Sequence, residues 1–235
     1  MSLLNKASLI QIPSGYKDGT LYSAKPTNGD GDFTFSRGSN LAATRVNSDG
    51  LIEKGRENLL LQSNQFDTTW LTIRSSVSSG ATDPFGGSNA WSFLTDNTAN
   101  DQHYIYQGIS QSGVGTLSIY AKANGYNWLR LRLPSEEAYF DVANGVTGSS
   151  TTGISASITD VSNGWYRCEV AFSDMSTNPN VFMHIAENDG DIIIDGTPSG
   201  NDGLYIYSAQ LESGLVATNV IETGASTAQA GILED

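Results

Sequence analysis

The sequence predicts an all-β protein, a two-sheet antiparallel jelly-roll sandwich preceded by an extended N-terminal arm with a β-hairpin. Two observations predict this fold. First, 25 of the 235 residues are glycine, and clusters of Ser, Thr, Asn and Asp separate short apolar runs, a composition typical of many strands joined by turns. Second, most apolar runs alternate apolar with polar residues, so each strand would turn one face towards a core.

Residues 1–56 predict the arm. Strand-like residues 43–47 and 51–54 flank the turn Ser48-Asp49-Gly50, which is a hairpin signal. The arm is too thin for a core of its own, so we expect its apolar side chains to pack on a neighbouring subunit or another protein. An arm folded back on its own domain is the alternative. These side chains are Leu9, Ile10, Ile12, Tyr16, Leu21, Tyr22, Phe33 and Phe35.

Residues 57–224 predict the jelly roll, and residues 225–235 predict a flexible C-terminal tail. Alternating runs recur with Gly, Asn or Ser clusters between them. Two sheets packed face to face would bury one side of every strand, and a jelly roll leaves few edges exposed. The predicted strands are 58–65, 70–77, 90–94, 103–109, 116–123, 128–133, 138–142, 154–158, 165–172, 181–186, 204–212 and 218–221.

The charge balance argues against two classes of partner. Twelve basic and 25 acidic residues give a formal charge of −13, which repels phosphate backbones and anionic membrane surfaces. We therefore expect neither nucleic acid nor membrane as a partner. The start of the chain lacks the basic stretch and apolar run of a signal peptide, so we expect a protein made in the cytoplasm and not exported by the secretory route.

The chemistry-bearing residues predict no enzyme, no cofactor and no metal centre. His103 and His184 lie in strand patterns without a second ligand at metal-site spacing, and no Gly-x-Ser-x-Gly motif occurs. Glycoside hydrolysis by paired acids is an alternative. The Asp-Gly turns between Asp189 and Gly203 leave a structural calcium ion open beside solvated turns. The candidate acids are Glu136, Glu137, Asp141, Glu169 and Glu187.

Aromatic and planar polar side chains predict a carbohydrate-binding surface. Sugars stack their apolar faces on aromatic rings and accept hydrogen bonds from planar groups such as guanidinium. A structural network, or contact with a neighbouring subunit, is the alternative role for the same residues. The candidate residues are Tyr104, Tyr106, Tyr126, Trp128, Arg130 and Tyr139.

Several runs carry a resemblance to a known module. Residues 57–70 (ENLLLQSNQFDTTW) resemble the opening strand of carbohydrate-binding-module-like jelly rolls, and residues 117–123, 163–168 and 203–214 follow in the expected order. The closing run ATNVIETG is similar to the tail that follows this domain in phage structural proteins, although Val220 replaces the usual aromatic residue. The runs FSRGS and ATRVNSDGLIE, both before residue 57, are similar to the segment preceding the jelly roll in phage head-fibre and tail-associated proteins.

The resemblance implies a non-enzymatic bacteriophage virion structural protein, a head fibre or capsid decoration that displays a jelly roll on the particle surface. It also implies attachment to other virion proteins through the arm and a homo-oligomer, with a trimer favoured. The alternative is a carbohydrate-binding adhesin module on a tail or collar that binds host or mucus glycans. In the resembling modules an acidic pair on the last strand often holds calcium, but this chain has Tyr207-Ser208 there.

Overall fold

A computed structural model of the chain describes residues 6–17, 20–34, 44–46, 52–54, 57–175, 179–226 and 228–229. The chain divides into two compact units. The front unit comprises Met1–Gly55 and Ala230–Asp235, and the sandwich unit comprises Arg56–Gln229. Among the described residues, no helix is both long and apolar enough to cross a lipid bilayer.

The front unit contains a three-stranded antiparallel sheet and a hairpin. The sheet has the order β1-β2-β3 and was not predicted from the sequence, because its pairing is irregular between Gln11 and Tyr16. The predicted hairpin is confirmed, with Arg45 opposite Glu53, while its turn lies outside the described residues. The strands are β1 (Ile10–Lys17), β2 (Thr20–Lys25), β3 (Phe33–Thr34), β4 (Thr44–Val46) and β5 (Ile52–Lys54).

The sandwich unit consists of two six-stranded antiparallel sheets, which confirms the predicted all-β two-sheet fold. The first sheet has the order β14-β13-β12-β17-β10-β7, the second has the order β15-β16-β11-β18-β9-β8, and β6 pairs with β19. The strands are β6 (Glu57–Asn58), β7 (Leu71–Ile73), β8 (Ser75–Ala81), β9 (Ala90–Thr95), β10 (His103–Gly108), β11 (Gly115–Asn124), β12 (Trp128–Arg132), β13 (Glu137–Asp141), β14 (Val146–Ser150), β15 (Ser155–Asp160), β16 (Tyr166–Phe172), β17 (Asn180–Ala186), β18 (Gly203–Ser213) and β19 (Ala228–Gln229).

The core lies between the two sheets. Alternate residues such as Ile105, Leu131 and Met183 of the first sheet meet Leu117 and Phe93 of the second, and all five are fully buried. Because side chains alternate across a strand, the residues between them point to the outer face of their sheet. The two outer faces are therefore where polar and aromatic residues of the strands are presented.

Four strand predictions differ from the structure. Of residues 58–65 only the first lies in a strand, and residues 218–221 form no strand. The predicted strand over 70–77 is two strands, since Arg74 between them has a left-handed φ of 49°. The strand β14 was missed, because its residues are mostly exposed and do not alternate with apolar ones.

Side-chain hydrogen bonds supplement the backbone bonds Leu59 N–H to Leu211 (2.8 Å) and Ala209 N–H to Ser63 (2.8 Å) where residues 58–65 lie beside β18. The fully buried Asn58 donates from Nδ2 to the carbonyls of Ala209 (3.1 Å) and Ile221 (2.9 Å). Its Oδ1 accepts from the N–H groups of Leu60 and Leu211, both at 3.1 Å. One amide side chain thus satisfies four buried backbone groups from the start, the last long strand and the tail of the unit.

A second set of bonds completes this connection. The Thr223 hydroxyl donates to the carbonyl of Leu60 (2.6 Å) and accepts from the N–H of Ser63 (3.0 Å), while the Ser63 hydroxyl accepts from the N–H of Thr223 (2.9 Å). Two residues of the predicted tail, 228–229, form β19 beside β6. We call Asn58, Ser63 and Thr223 the clasp, since they join the opening and closing runs on which the resemblance was based.

Candidate functional site

The outer face of the first sheet carries aromatic and cationic side chains in register across neighbouring strands. One row crosses four strands, with Tyr104 of β10 opposite His184 of β17, His184 opposite Arg130 of β12, and Arg130 opposite Tyr139 of β13. We call this row the middle row. Directly opposed side chains on one sheet face contact each other, so the register places these four groups side by side.

Two further rows flank the middle row. On one side Tyr106, Phe182, Arg132 and Glu137 are opposite one another in the same strand order. On the other side Trp128 lies between Ala186 and Asp141. We call the surface formed by these rows the aromatic–arginine face; its side chains are Tyr104, Tyr106, Trp128, Arg130, Arg132, Glu137, Tyr139, Phe182 and His184.

The rings of β10 and β17 form one continuous aromatic surface. The Tyr106 and Phe182 rings are stacked, with centroids 5.5 Å apart and planes at 27°. Tyr104 lies 4.7 Å from the His184 ring and 5.7 Å from the Phe182 ring. Tyr104, Tyr106 and Phe182 are partly exposed, so ring faces or edges are available to a ligand.

Two guanidinium groups lie beside this surface. Arg132 places its Cζ 5.2 Å from the Phe182 ring centroid, and Arg130 places its Cζ 5.7 Å from that of Tyr139. Arg130 is only 3% exposed. Its Nε donates to Glu137 Oε2 at 2.9 Å, and its Nη2 donates to the same oxygen. Glu137 therefore neutralises Arg130 but leaves its Nη1 free of that carboxylate.

Several polar atoms of the middle row have no hydrogen-bond partner among the described residues. They are Arg130 Nη1, Tyr139 Oη, and both ring nitrogens of His184. Arg130, Tyr139 and His184 are each at least 97% buried. A buried polar group without a partner costs about 1–3 kcal/mol, so such groups are rare in folded proteins and concentrate at functional sites.

The protonation states of the middle row follow from its burial. Burial, opposed by Arg130 and reinforced by Glu137, raises the pKa of Tyr139 to about 12. Burial, with Arg130 and Arg132 adding to it, holds the pKa of His184 well below its usual value. At neutral pH Tyr139 is therefore a protonated phenol, and His184 is a neutral imidazole with one donor and one acceptor nitrogen.

The loop after β17 is fixed against the Trp128 end of the face. The N–H of Ser149 donates to Asp189 Oδ1 at 2.6 Å, and its hydroxyl donates to Oδ2 at 2.9 Å. Gly148, next to Ser149 in β14, has no room for a side chain, since a Cβ there would lie 2.6 Å from Cζ3 of Trp128. The backbone of Gly148 thus lies directly against the Trp128 ring at the rim of the face.

The structure brings together most of the residues predicted to bind carbohydrate. Five lie on the aromatic–arginine face, whereas Tyr126 lies in the turn before β12, where its N–H donates to the carbonyl of Gly203 at 3.2 Å. Tyr126 packs against the core instead. Arg132, Phe182 and His184 were not predicted from the sequence to bind carbohydrate, and Glu137 was named only as a candidate acid. The alternation of β17, with Val181, Met183 and Ile185 in the core, would have pointed to Phe182 and His184.

The outer face of the second sheet also carries aromatic rings and an arginine. Tyr120, Tyr207 and Trp165 form a buried cluster against which Val220 packs, and the exposed Phe85 ring lies 5.8 Å from Tyr120. Arg167 there donates to the Thr218 carbonyl and to the Ser118 hydroxyl (3.3 Å), and its Nε lies 3.2 Å from Glu169 Oε1. Residues 214–223, the return segment, cover this face.

The candidate acids do not converge on one place. Glu137 is bonded to Arg130 on the first sheet, Glu169 is paired with Arg167 on the second, and Glu136 accepts from Ser173. Within the part of the chain that the structure describes, no three His, Cys, Asp or Glu side chains form a group that could hold a metal ion.

A groove of about 520 Å³ lies apart from the aromatic–arginine face. Among the described residues that line it, the one aromatic side chain is Trp91, which is 7% exposed and donates from its indole N–H to Asn64, so its ring offers little stacking surface. The groove is lined by Asn64, Gln65, Ser79, Gly80, Ser88, Asn89, Trp91, Glu222 and Thr223.

No protein-family model matches the sequence, and no curated protein matches it. Among solved structures, the chain is similar to the carbohydrate-binding and catalytic modules of Clostridium thermocellum endo-1,4-β-D-xylanase 10B, solved with xylohexaose, at 10% identity over 72% of this chain and 29% of that one, with a TM-score of 0.37. It is also similar to the enzymatically active domain of tailspike protein 4 of bacteriophage CBA120, at 15% identity over 68% of this chain and 21% of that one, with a TM-score of 0.38. The chain thus spans less than a third of either chain, and these TM-scores are too low to assign it a function.

Proposed function

We propose that the sandwich unit is a non-enzymatic carbohydrate-binding module and that the aromatic–arginine face is its binding surface. The observation that carries this proposal is the presence, on the outer face of one sheet, of partly exposed rings beside buried polar atoms that lack partners among the described residues. Rings supply stacking area for the apolar faces of a sugar, and the unpartnered polar atoms supply its hydrogen bonds.

The dimensions of the face suit an oligosaccharide. The middle row crosses four adjacent strands, and neighbouring strands lie about 4.8 Å apart, so the row is roughly 14 Å long. Tyr104 and Tyr106 line its β10 end, and Arg130, Arg132 and Glu137 line its β12 and β13 end. A glycan lying across the strands would stack at one end and form hydrogen bonds at the other.

A binding role without catalysis is part of the proposal. Glycoside hydrolysis needs two carboxyl groups that face each other across the scissile bond. Here Glu137 is held by Arg130, and Asp141, four residues further along the same strand, accepts from Ala143 and Asn144. Glu169 lies on the other sheet and pairs with Arg167, so we propose that these acids do not act as such a pair.

The proposed setting is the surface of a bacteriophage particle, as a head fibre or capsid decoration. The support is the sequence resemblance of the closing run and of the runs before residue 57. We further propose that the front unit attaches to other virion proteins and oligomerises the chain, with a trimer favoured. Leu9, Tyr22 and Phe33 there are about half exposed, at 46%, 48% and 54%, and light scattering on the full chain with these three changed to Ser tests this role.

A glycan array followed by titration tests the binding role. Trp128→Ala and Tyr106→Ala remove rings from the face and should weaken binding about threefold to tenfold each, since an aromatic contact contributes about 0.5–1.5 kcal/mol. Phe85→Ala removes a ring that is 70% exposed on the opposite side and is the matched control. Binding to no glycan at millimolar concentration, or equal loss in the control, would contradict the proposal.

A further inference from the structure

Resting on the proposed function, we infer that the bound glycan carries a carboxylate and that Arg130, Tyr139 and His184 receive it. The ligand class is therefore an acidic sugar, such as a uronic or sialic acid, and not a neutral glycan. Three properties of the middle row support this inference: its unpartnered hydrogen-bond donors, its charges and its burial.

The unpartnered atoms of the middle row are mainly donors. Arg130 Nη1 offers two N–H groups, Tyr139 offers its hydroxyl proton, and the neutral His184 offers one N–H and one acceptor nitrogen. Donors therefore outnumber acceptors. A carboxylate has only acceptors, and its two oxygens can serve a guanidinium and a phenol at once. A sugar hydroxyl would bring a further donor to a site that is already rich in them.

The local charge points the same way. At the centre of the face two guanidinium groups, Arg130 and Arg132, share the single carboxylate of Glu137, whose Oε2 lies 3.8 Å from Arg132 Nε. These three side chains together carry a net charge of one positive unit in a chain whose formal charge is −13, although the carboxylates of Asp189 and Asp191 also act on Tyr139. A charged, poorly solvated donor forms hydrogen bonds to an anion that are roughly twice as strong as neutral ones.

The nearby acids do not occupy these donors. Asp141 accepts from the N–H groups of Ala143 (3.0 Å) and Asn144 (3.1 Å) and from Asn144 Nδ2 (2.8 Å). Asp189 accepts from the N–H and hydroxyl of Ser149. Their oxygens are engaged at the rim, so the centre of the face is left to the ligand.

The ligand must move a side chain to reach the middle row, because the unpartnered atoms lie below the surface. Tyr104, whose ring is 4.7 Å from that of His184, and Arg132, which has 30% of its side chain exposed, are the partly exposed neighbours. A change of rotamer in either admits the carboxylate. A sulfate ester also presents acceptor oxygens that a guanidinium can bind, so a sulfated probe is needed to separate the two anions.

Matched ligand pairs test the inference on the full chain. The probes are short oligomers of galacturonic and glucuronic acid and N-acetylneuraminic acid, each with its methyl ester, together with a neutral glycan array and a sulfated oligosaccharide. Titration should show the acids binding at least tenfold more tightly than their esters. Esters that bind as well as the acids, or binding of the sulfated probe alone, would overturn the carboxylate assignment while the proposed function stands. Binding of no glycan at all would overturn both.

Tyr139→Phe locates the carboxylate. The change removes only a hydroxyl that has no partner among the described residues, so the fold should be as stable as before. Acid binding should fall about tenfold, and the preference over the ester should shrink with it. Tyr120→Phe on the second sheet is the matched control and should change neither. Unchanged acid binding in Tyr139→Phe would overturn the assignment of the site.

Discussion

The outer faces of the two sheets are built from similar side chains but differ in what covers them. On the second sheet, Val220 of the return segment packs against the cluster of Tyr120, Tyr207 and Trp165, and Arg167 donates to Thr218 and Ser118 and pairs with Glu169. On the first sheet no segment with bonds of this kind covers the middle row within the described residues, and four polar atoms stay without partners.

This difference shows which face uses its aromatic and arginine side chains to stabilise the fold and which is the better candidate for binding a ligand. On the second sheet the arginine donates to the return segment, and the cluster stabilises the fold. On the first sheet, the donors that lack partners among the described residues lower stability by about 1–3 kcal/mol each. A face that retains such a cost is the better candidate for a ligand site.

The largest expected loss of stability comes from breaking the clasp, whose Asn58 donates to Ile221 of the return segment. Asn58→Ala removes the partners of four buried backbone groups, and we expect the free energy of unfolding to fall by about 3–5 kcal/mol. Urea unfolding measures it. Asn188→Ala, at an exposed amide that donates to Asp191, should stay within about 0.5 kcal/mol. A fall in the free energy of unfolding of less than about 1 kcal/mol in Asn58→Ala would show that the clasp does not stabilise the return segment on the second sheet.

A smaller effect compares one hydroxyl from each region. Thr223→Val removes a buried hydroxyl that serves Leu60 and Ser63, and it should destabilise by about 1–3 kcal/mol. Tyr139→Phe removes a buried hydroxyl that has no hydrogen-bond partner among the described residues. The free energy of unfolding should therefore be unchanged or rise by up to about 1 kcal/mol. Paired urea curves for the two variants give the answer. Equal destabilisation by both would erase the distinction between the faces.

The smallest effect is a pH dependence that belongs to the first face. His184 stays neutral in the folded protein because burial, Arg130 and Arg132 lower its pKa, while in the unfolded chain it takes up a proton near pH 6.5. The unfolded state therefore binds more protons below that pH, and stability falls as the pH is lowered, by at most about 1.4 kcal/mol per pH unit. The acid-induced loss should be smaller in His184→Phe, measured by urea unfolding at pH 7 and pH 5. Parallel losses in both proteins would contradict this.

The alternating pattern of the sequence predicted the strands that bury one side in the core and carry polar residues on the other side. For β9, β10 and β11, for instance, alternation of residues such as Leu117 and Ile119 with polar neighbours identified the element and its buried side. It missed β14, because Val146 is exposed and its neighbours are small and polar. The apolar run from Leu59 to Leu61 was predicted to be a strand, but it is not one. Its pattern does not reveal that the side chains of Asn58 and Thr223 bind the backbone of Leu60.

The candidate site was predicted in part. Aromatic type and strand position were enough to name Tyr104, Tyr106, Trp128, Arg130 and Tyr139 as candidates. The middle row itself depends on β17 lying between β10 and β12, strands that are far apart in the chain. That order brings His184 beside Arg130, and no local pattern encodes it.

The indole N–H resonances of the four tryptophans test the central claim most directly, recorded on the full chain while a glycan selected from the array is titrated. Trp128 lies at the rim of the aromatic–arginine face and Trp165 in the cluster of the second face, while Trp70 and Trp91 donate to Gln62 and Asn64. The account predicts that the Trp128 resonance shifts with saturation and that the Trp165 resonance does not. A shift at Trp165 with none at Trp128 would contradict it.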